Sequence, residues 1–305
     1  MTHDAVIIGG GPAGLSAALL LGRGRRSVVL LDTGEGRNAP SDASHSFFTR
    51  DGTPPAELRR IGQEQLRPYE SVSVRPERAV AVTGEVGQFR VTLDNGDSLE
   101  SRTVFLATGV RDILPVIPGV DRYWGKGVFQ CPFCDGWEHR DQPMALLAPP
   151  EMVLESVHLY RTWSANLTVL TNGAWELDRE LTARLASLDI GVIADPIDRV
   201  EGNGAHANRI VFRTGREQPI GVLWIRPQQQ ARTSLAIELG CELYEAGLIA
   251  GLVKVEGPGQ TTIPGVYAAG DIASPMHQVS LAVASGTAAA LGATRLLIQM
   301  DNALE

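Results

Sequence analysis

Cysteine is scarce in this chain: there are three in 305 residues, and Cys241 stands far from the pair at Cys131 and Cys134. Three thiols cannot build a disulfide scaffold, so small stapled secreted domains are excluded. A reducing, cytoplasmic setting is expected, with the close pair kept for catalysis or metal binding. Basic residues are in deficit too, 27 Lys and Arg against 35 Asp and Glu, a formal net charge of −8. No basic stripe or aromatic-interleaved basic cluster offsets that balance, which argues against a nucleic-acid partner. The start of the chain shows neither the charged opening nor the cleavage site of a secretory signal. The apolar stretch 5–22 is broken by Gly-Gly-Gly-Pro, so no membrane association is expected. Low-complexity tracts and solenoid repeats are missing as well.

What the chain does have is 44% apolar residues, enough for two domains with separate cores, and 33 glycines and 18 prolines scattered between apolar runs. That distribution points to the many short turns of an α/β protein. An apolar run at 5–9, helical spacing of apolar residues over 14–22 and the strand-like RSVVLLD at 26–32 make one β-α-β unit. The stretch 35–69 is polar and partly helical, and alternation over 71–84 and 87–93 predicts an antiparallel strand set. TVFLATG at 103–109 reads as a buried strand ending in a turn, and RDILPVIPG at 111–119 reads as a linker. MALLA at 144–148, a helix from about Glu151 and NLTVL at 166–170 form a second β-α-β unit, continued in strands by RIVFRTG and VLWIRP. From about Gly247 the chemistry of the first domain resumes, with GVYAAGD at 265–271 and a long helix reaching Met300; the closing MDNALE reads as frayed. The expected fold is α/β, two Rossmann-like domains of three-layer ββα type. Residues 1–112 with 246–305 form one, and 113–245 form the other, inserted into it.

GGGPAG at Gly9–Gly14 matches G-x-G-x-x-G directly after a strand and at the opening of a helix. Gly9, Gly11 and Gly14, with Pro12 and Ala13, permit a tight turn and bring a pyrophosphate close to backbone N–H groups at the positive end of that helix. Asp32 ends the second strand, eighteen residues beyond Gly14, where a carboxylate can accept ribose hydroxyls. The alternative is a glycine turn without ligand. CPFCDG at Cys131–Gly136 sets two thiols at the spacing of a one-turn disulfide, with Asp135 beside them to shuttle a proton. Zinc would need Cys241 and His139 to complete a four-ligand set, and an inert buried pair is the third reading. Cys241, in AIELGCEL, reads as a small core residue.

Taken together, GGGPAG, the ATG at Ala107–Gly109, CPFCDG and GVYAAGD resemble the low-molecular-weight thioredoxin reductases, in order and spacing over nearly the whole chain. The resemblance implies an FAD domain made from both ends of the sequence, an inserted nicotinamide-type domain carrying the disulfide, and a homodimer. It implies that Asp271 binds the ribityl or phosphate region of the flavin, and that His277, Gln278 and Val279 open the last helix beneath the isoalloxazine, whose negative charge that helix end would stabilise. Thr108, Gly109 and Gly270 would line the cofactor, Val80 would touch adenine, and Arg37, Asn38 and His45 would lie in the stretch that crosses the flavin. Cys134 would face the flavin, Cys131 would exchange with a dithiol or disulfide substrate, either a small molecule or a thioredoxin-like protein, and Asp135 would be the acid/base. Trp124 and Trp137 flank the pair as a substrate wall or as core.

At one place the chain departs from that family. Its second nucleotide site has a G-G-G turn and, after the next strand, a pair of arginines for the 2′-phosphate; here the same register holds Ala148, Pro149 and Pro150, then Thr171, Asn172 and Gly173. Two prolines remove two donors and fill the space of a pyrophosphate, while Glu151 and Glu155 add negative charge. Proline in a first helical turn still makes a sound helix start. The expectation is an FAD-dependent thiol/disulfide oxidoreductase without NADPH, similar to gliotoxin- and holomycin-type dithiol oxidases. The alternatives are reduction by NADPH through a divergent site, reduction by ferredoxin or a second flavin, and a flavin redox sensor without turnover.

Overall fold

Alternation along the first strand decides how the core is built. In β1 (Thr2–Ile8), Ala5 and Ile7 project to one side and Val6 and Ile8 to the other, and all four are buried. A strand buried on both faces needs two covering layers. The computed structural model, which describes residues 1–303, supplies helices on the Ala5/Ile7 side and a smaller antiparallel layer on the Val6/Ile8 side.

The glycine turn leads from β1 into α1 (Pro12–Arg23) and β2 (Val28–Leu31), which runs parallel to β1. After α2 (Pro55–Leu66) come β3 (Val72–Arg75), β4 (Ala79–Thr83), β5 (Phe89–Leu93) and β6 (Ser98–Leu106), the last lying parallel to β1 on its other side. Of these strands β4, β5 and β6 pair antiparallel, whereas β3 joins β2 in parallel, so the antiparallel set expected over 71–93 is smaller than predicted. Period-two alternation reports a strand and not the direction of its partner. β3 follows a helical crossover, which returns a chain parallel.

The inserted segment opens with β7 (Val110–Ile113), α3 (Val120–Tyr123), β8 (Val128–Phe129) and α4 (Pro132–Asp135). It continues through β9 (Met144–Leu147), α5 (Pro150–Tyr160), β10 (Leu167–Leu170), α6 (Arg179–Ser187) and β11 (Gly191–Ile193). β12 (Ile197–Gly202), β13 (Ala207–Phe212) and β14 (Glu217–Pro219) make a separate three-stranded antiparallel sheet, so RIVFRTG lies outside the parallel sheet it was expected to continue. With β15 (Val222–Ile225) the parallel sheet has five strands in the order β11-β10-β9-β15-β8. Met144, Leu146 and Trp224 pack on Val153 and Val157 of α5, while Ala145 and Leu223 face the antiparallel layer.

β16 (Gln228–Ala231) pairs with β7 where the chain leaves the insertion. Then follow α7 (Leu235–Glu238), β17 (Val255–Glu256), β18 (Gln260–Thr261), β19 (Val266–Ala268) and α8 (Val279–Asn302). They complete a nine-stranded sheet with β19 against β6.

Two compact units result: 1–39 with 46–111 and 229–305, and 40–45 with 112–228. The return crossing falls at 228/229, ahead of the expected 245/246. Leu235, Ala236 and Cys241 are buried with Val82 and Val253 in the core of the first unit, although nothing in their sequence marks them as its property. The excursion of 40–45 into the second unit was not foreseen either.

α8 is long and apolar enough to cross a membrane by length and composition. In this fold its small residues serve close packing: a Cβ added at Gly286 would lie 2.0 Å from the Ala13 carbonyl oxygen of α1, and Ser16 Oγ donates to the Val283 carbonyl at 2.9 Å. The end of the helix is not frayed through Asn302, contrary to expectation. Asp301 pairs with Arg26 at 2.7 Å and with Arg102 at 2.7 Å; Leu304 and Glu305 lie outside the described residues.

Candidate functional site

The turn between β1 and α1 is shaped by its glycines. Gly9 has φ +114°, and a Cβ there would come within 2.2 Å of the Ala107 carbonyl oxygen; one at Gly14 would come within 1.9 Å of the Gly9 oxygen. Those two glycines are bare for reasons internal to the fold. Gly11 is different. Its φ of −73° suits any residue, and its added Cβ would meet nothing within 4 Å. A bare position with no internal demand for glycine leaves an approach open from outside, at the start of a twelve-residue helix.

Around that turn the first unit gathers most of the expected cofactor residues. Asp32 is nearly buried at the end of β2; its carboxylate accepts from Gly34 N at 2.9 Å and Gln63 Nε2 at 2.8 Å, and lies 3.1 Å from Arg59 Nε. Arg59 and Gln63, on α2, were invisible to sequence reasoning, because a polar helix face carries no mark of what it meets. Arg37 pairs with Asp271 at 2.9 Å, which joins two predicted residues from opposite ends of the chain. Gly270 has φ +79° and its N–H donates to Ser285 Oγ of α8 at 2.9 Å. Asn38 lies beside Arg37 in the same loop, and Gln278 is the residue before α8, with His277 ahead of it and Val279 as its first turn. Thr108 and Gly109 follow β6; the Thr108 hydroxyl is buried and has no hydrogen-bond partner among the described residues. Val80 is on β4 with its side chain exposed.

His45 is placed elsewhere. It belongs to the 40–45 excursion, and its Nε2 lies 3.6 Å from Glu138 Oε1, beside the cysteine loop of the second unit. The chain there belongs to the second unit for six residues.

In the second unit Cys131 and Cys134 are closed as a disulfide, with Cα atoms 5.3 Å apart. Cys131 has extended backbone ahead of the short helix α4, and its carbonyl accepts from Cys134 N at 3.1 Å and Asp135 N at 3.2 Å. Gly136 is bare because the Pro132 carbonyl oxygen and Trp163 lie on it: a Cβ there would be 2.4 Å from the one and 2.9 Å from the indole of the other. Trp163 also meets the Phe133 ring edge-on at 5.4 Å, yet Phe133 remains 61% exposed between the two cysteines. The tryptophans that flank the pair differ: Trp124 packs against the core, whereas Trp137 is exposed under the Arg140 guanidinium at 4.1 Å. Asp135 is pushed up to about 7, first by burial of its carboxyl and then by the charge of Glu138. It can therefore give or take a proton at neutral pH. Cys241 belongs to the other unit, where its S–H meets Thr261 Oγ1 at 3.6 Å.

The second β-α-β turn holds Ala148 and Pro149 between β9 and α5, whose first residue is Pro150. Beyond β10, Thr171 is fully buried, Asn172 has φ +54° with its Oδ1 accepting from Ile197 N at 2.6 Å, and Gly173 has φ +66°. These residues are spent on a turn.

Residues 3–159, which span both turns and the cysteine pair, match the pyridine nucleotide-disulphide oxidoreductase family. The chain belongs to that family. Among its relatives, thioredoxin reductase sirT of Leptosphaeria maculans is 33% identical over 307 residues, covering 95% of this chain and 92% of the relative. An oxidoreductase from Agrobacterium tumefaciens superposes with TM-score 0.91 at 34% identity, covering 98% of this chain and 99% of its own. The structure of HlmI gives TM-score 0.92 at 33% identity, covering 99% and 94%. As a pyridine nucleotide-disulphide oxidoreductase of the thioredoxin reductase type, the protein is an FAD-dependent disulfide oxidoreductase with two Rossmann-like domains. The open approach at Gly11 and the partnerless buried Thr108 hydroxyl fit that cofactor.

Proposed function

We propose that the protein oxidises a dithiol through Cys131 and Cys134 and passes the electrons through FAD to oxygen, without NADPH. The observation that carries this reading is Pro149 ahead of Pro150 at the start of α5: α1 also begins on a proline but has Gly11 before it, so α5 lacks one more backbone donor and a bare Cα where a nicotinamide nucleotide's diphosphate would need them, and Glu151 adds negative charge in the first helical turn. Thr171, Asn172 and Gly173 supply no cation after β10. Relatives named thioredoxin reductase support the thiol/disulfide half of the reading.

FAD would be held by the Gly9–Gly14 turn at its pyrophosphate, by Asp32 at a ribose, and by Thr108, Gly109, Gly270 and Asp271 toward the flavin. When bound, FAD supplies the acceptor for the electron pair of the reduced cysteines and delivers it to oxygen as hydrogen peroxide. The protein's own part is exchange. A substrate thiolate attacks Sγ of Cys131, the S–S bond to Cys134 breaks, and the Cys134 thiolate takes a proton from Asp135. The second substrate thiol, its proton removed, then attacks the mixed disulfide. Cys131 leaves, and the substrate departs with its own S–S bond and two electrons fewer. A carboxyl near neutral serves both proton movements.

One cuvette tests this. Under argon, NADPH should leave the flavin spectrum unchanged, a dithiol should bleach it, and air should restore it with peroxide formed. Rapid bleaching by NADPH would replace this reading with that of a reductase using a divergent nucleotide pocket. Bleaching by the dithiol without recovery in air would point to another acceptor.

A further inference from the structure

Helix α5 persists although its first turn has lost the residues of a phosphate site, and its other end accounts for that. Tyr160, its last residue, is fully buried, and its hydroxyl donates to the Gln130 carbonyl at 2.8 Å, one residue ahead of Cys131. The Arg226 guanidinium, just past β15, acts on the same phenol with its positive charge. The ring lies on Trp224 at 4.9 Å, Trp224 meets Phe129 at 6.1 Å, and Phe129 meets His139 at 5.3 Å. Trp224 is itself fixed by Nε1 on the Met144 sulfur at 3.3 Å. The chain on both sides of the cysteine pair, Phe129–Gln130 before it and His139 after it, thus rests on one aromatic stack. From that stack a single hydroxyl reaches the backbone of the loop.

We propose that Tyr160 is the positioning residue of the redox pair: through the Gln130 carbonyl it fixes the backbone that presents Cys131, and so sets the balance between the closed disulfide and the open dithiol. This rests on the reading that the pair is redox-active. The physical argument is one of effective concentration. Closing the S–S bond demands one backbone geometry and the dithiol does not, so a bond that holds the loop in that geometry favours the disulfide. A phenylalanine would keep the ring on Trp224 and lose the hydroxyl that holds Gln130 and faces Arg226.

The experiment is a redox titration of the FAD-loaded protein under argon in mixtures of reduced and oxidised dithiothreitol, with Cys131 and Cys134 counted by alkylation and mass. In that exchange the Cys131–Cys134 bond breaks as the reagent closes its own, so two electrons and two protons pass. Tyr160→Phe should shift the equilibrium about fivefold toward the dithiol, about 20 mV at about 30 mV per tenfold, while before any dithiol is added its flavin spectrum and FAD stoichiometry match the wild type. Arg226→Leu should shift it the same way by less. Tyr267→Phe, which loses a buried hydroxyl in the first unit, should leave it unmoved. A wild-type balance in Tyr160→Phe, or an equal shift in Tyr267→Phe, overturns the proposal; should Tyr160→Phe fail to fold, an unmoved Arg226→Leu overturns it. Failure of the underlying reading looks different, because the wild-type pair would then not open in the titration at all.

Discussion

The two β-α-β turns of this chain share a backbone and differ in what they offer a ligand. Gly11 before α1 and Pro149 before α5 are both extended, at φ −73° and ψ −178° and at φ −67° and ψ 153°. Both helices start on a proline with no side-chain cap. The strands match as well: β1 lies between β2 and β6 in parallel register, and β9 between β10 and β15. Three glycines precede α1, whereas Ala148 and Pro149 precede α5. A Rossmann frame is therefore held by strand burial and helix packing, which tolerate either turn. Phosphate binding is a separate property of the N–H groups and bare Cα atoms laid over that frame.

The harshest test of that separation is Gly11→Glu. The fold has room for the side chain, since a Cβ there meets nothing within 4 Å, but its bulk and charge would stand where a pyrophosphate goes. We expect the variant to fold and to lose FAD affinity by at least about 10³-fold, roughly 4 kcal/mol of lost donor access and charge repulsion. Absorbance of the purified protein reads this, and full flavin content would break the comparison.

Asp135→Asn sharpens the comparison from the other side, since the cysteine loop is where the second unit keeps its chemistry. Turnover should fall by about 10²- to 10⁴-fold, and an inflection expected near pH 7 in the wild-type rate profile should be missing from that of the variant. A stability signature accompanies it. The Asp135 carboxyl is raised from 3.8 to about 7 in the folded protein, so the native state keeps a proton that the unfolded chain has already released. Its contribution is fully present below the unfolded value and is lost as pH rises through about 7. The melting temperature of the wild type should therefore fall, relative to Asp135→Asn, as pH rises from 3.8 to about 7.

The smallest effect is expected from Asp301→Asn, which weakens the ion pairs to Arg26 and Arg102 that secure the end of α8. A drop of about 1–3 °C in the melting temperature, with flavin retained, is the expected outcome. Loss of flavin would mean that the cradle depends on the far end of α8.

Much of this was legible in the sequence, and the reason is specific. Gly9 and Gly14 announce backbone positions that no other residue fits, Pro149 and Pro150 announce missing donors, and Cys131 with Cys134 announce a one-turn disulfide. Each of these reports its own local geometry. What stayed hidden depends on partners far along the chain: the parallel pairing of β3, the return to the first unit at 229, the approach of His45 to Glu138, Arg59 and Gln63 around Asp32, and the Tyr160 bond to Gln130. A tyrosine at the end of an amphipathic helix reads as core whether or not its hydroxyl has a task.

The contact between Gly286 of α8 and Ala13 of α1 has a consequence for biosynthesis. The helix that carries the glycine turn leaves the ribosome more than 250 residues before the helix that braces it. Through most of translation α1 has its strands but lacks that brace. A nascent chain stalled within the second unit thus carries its cysteine pair while the helix behind the glycine turn still lacks the close contact that Gly286 allows.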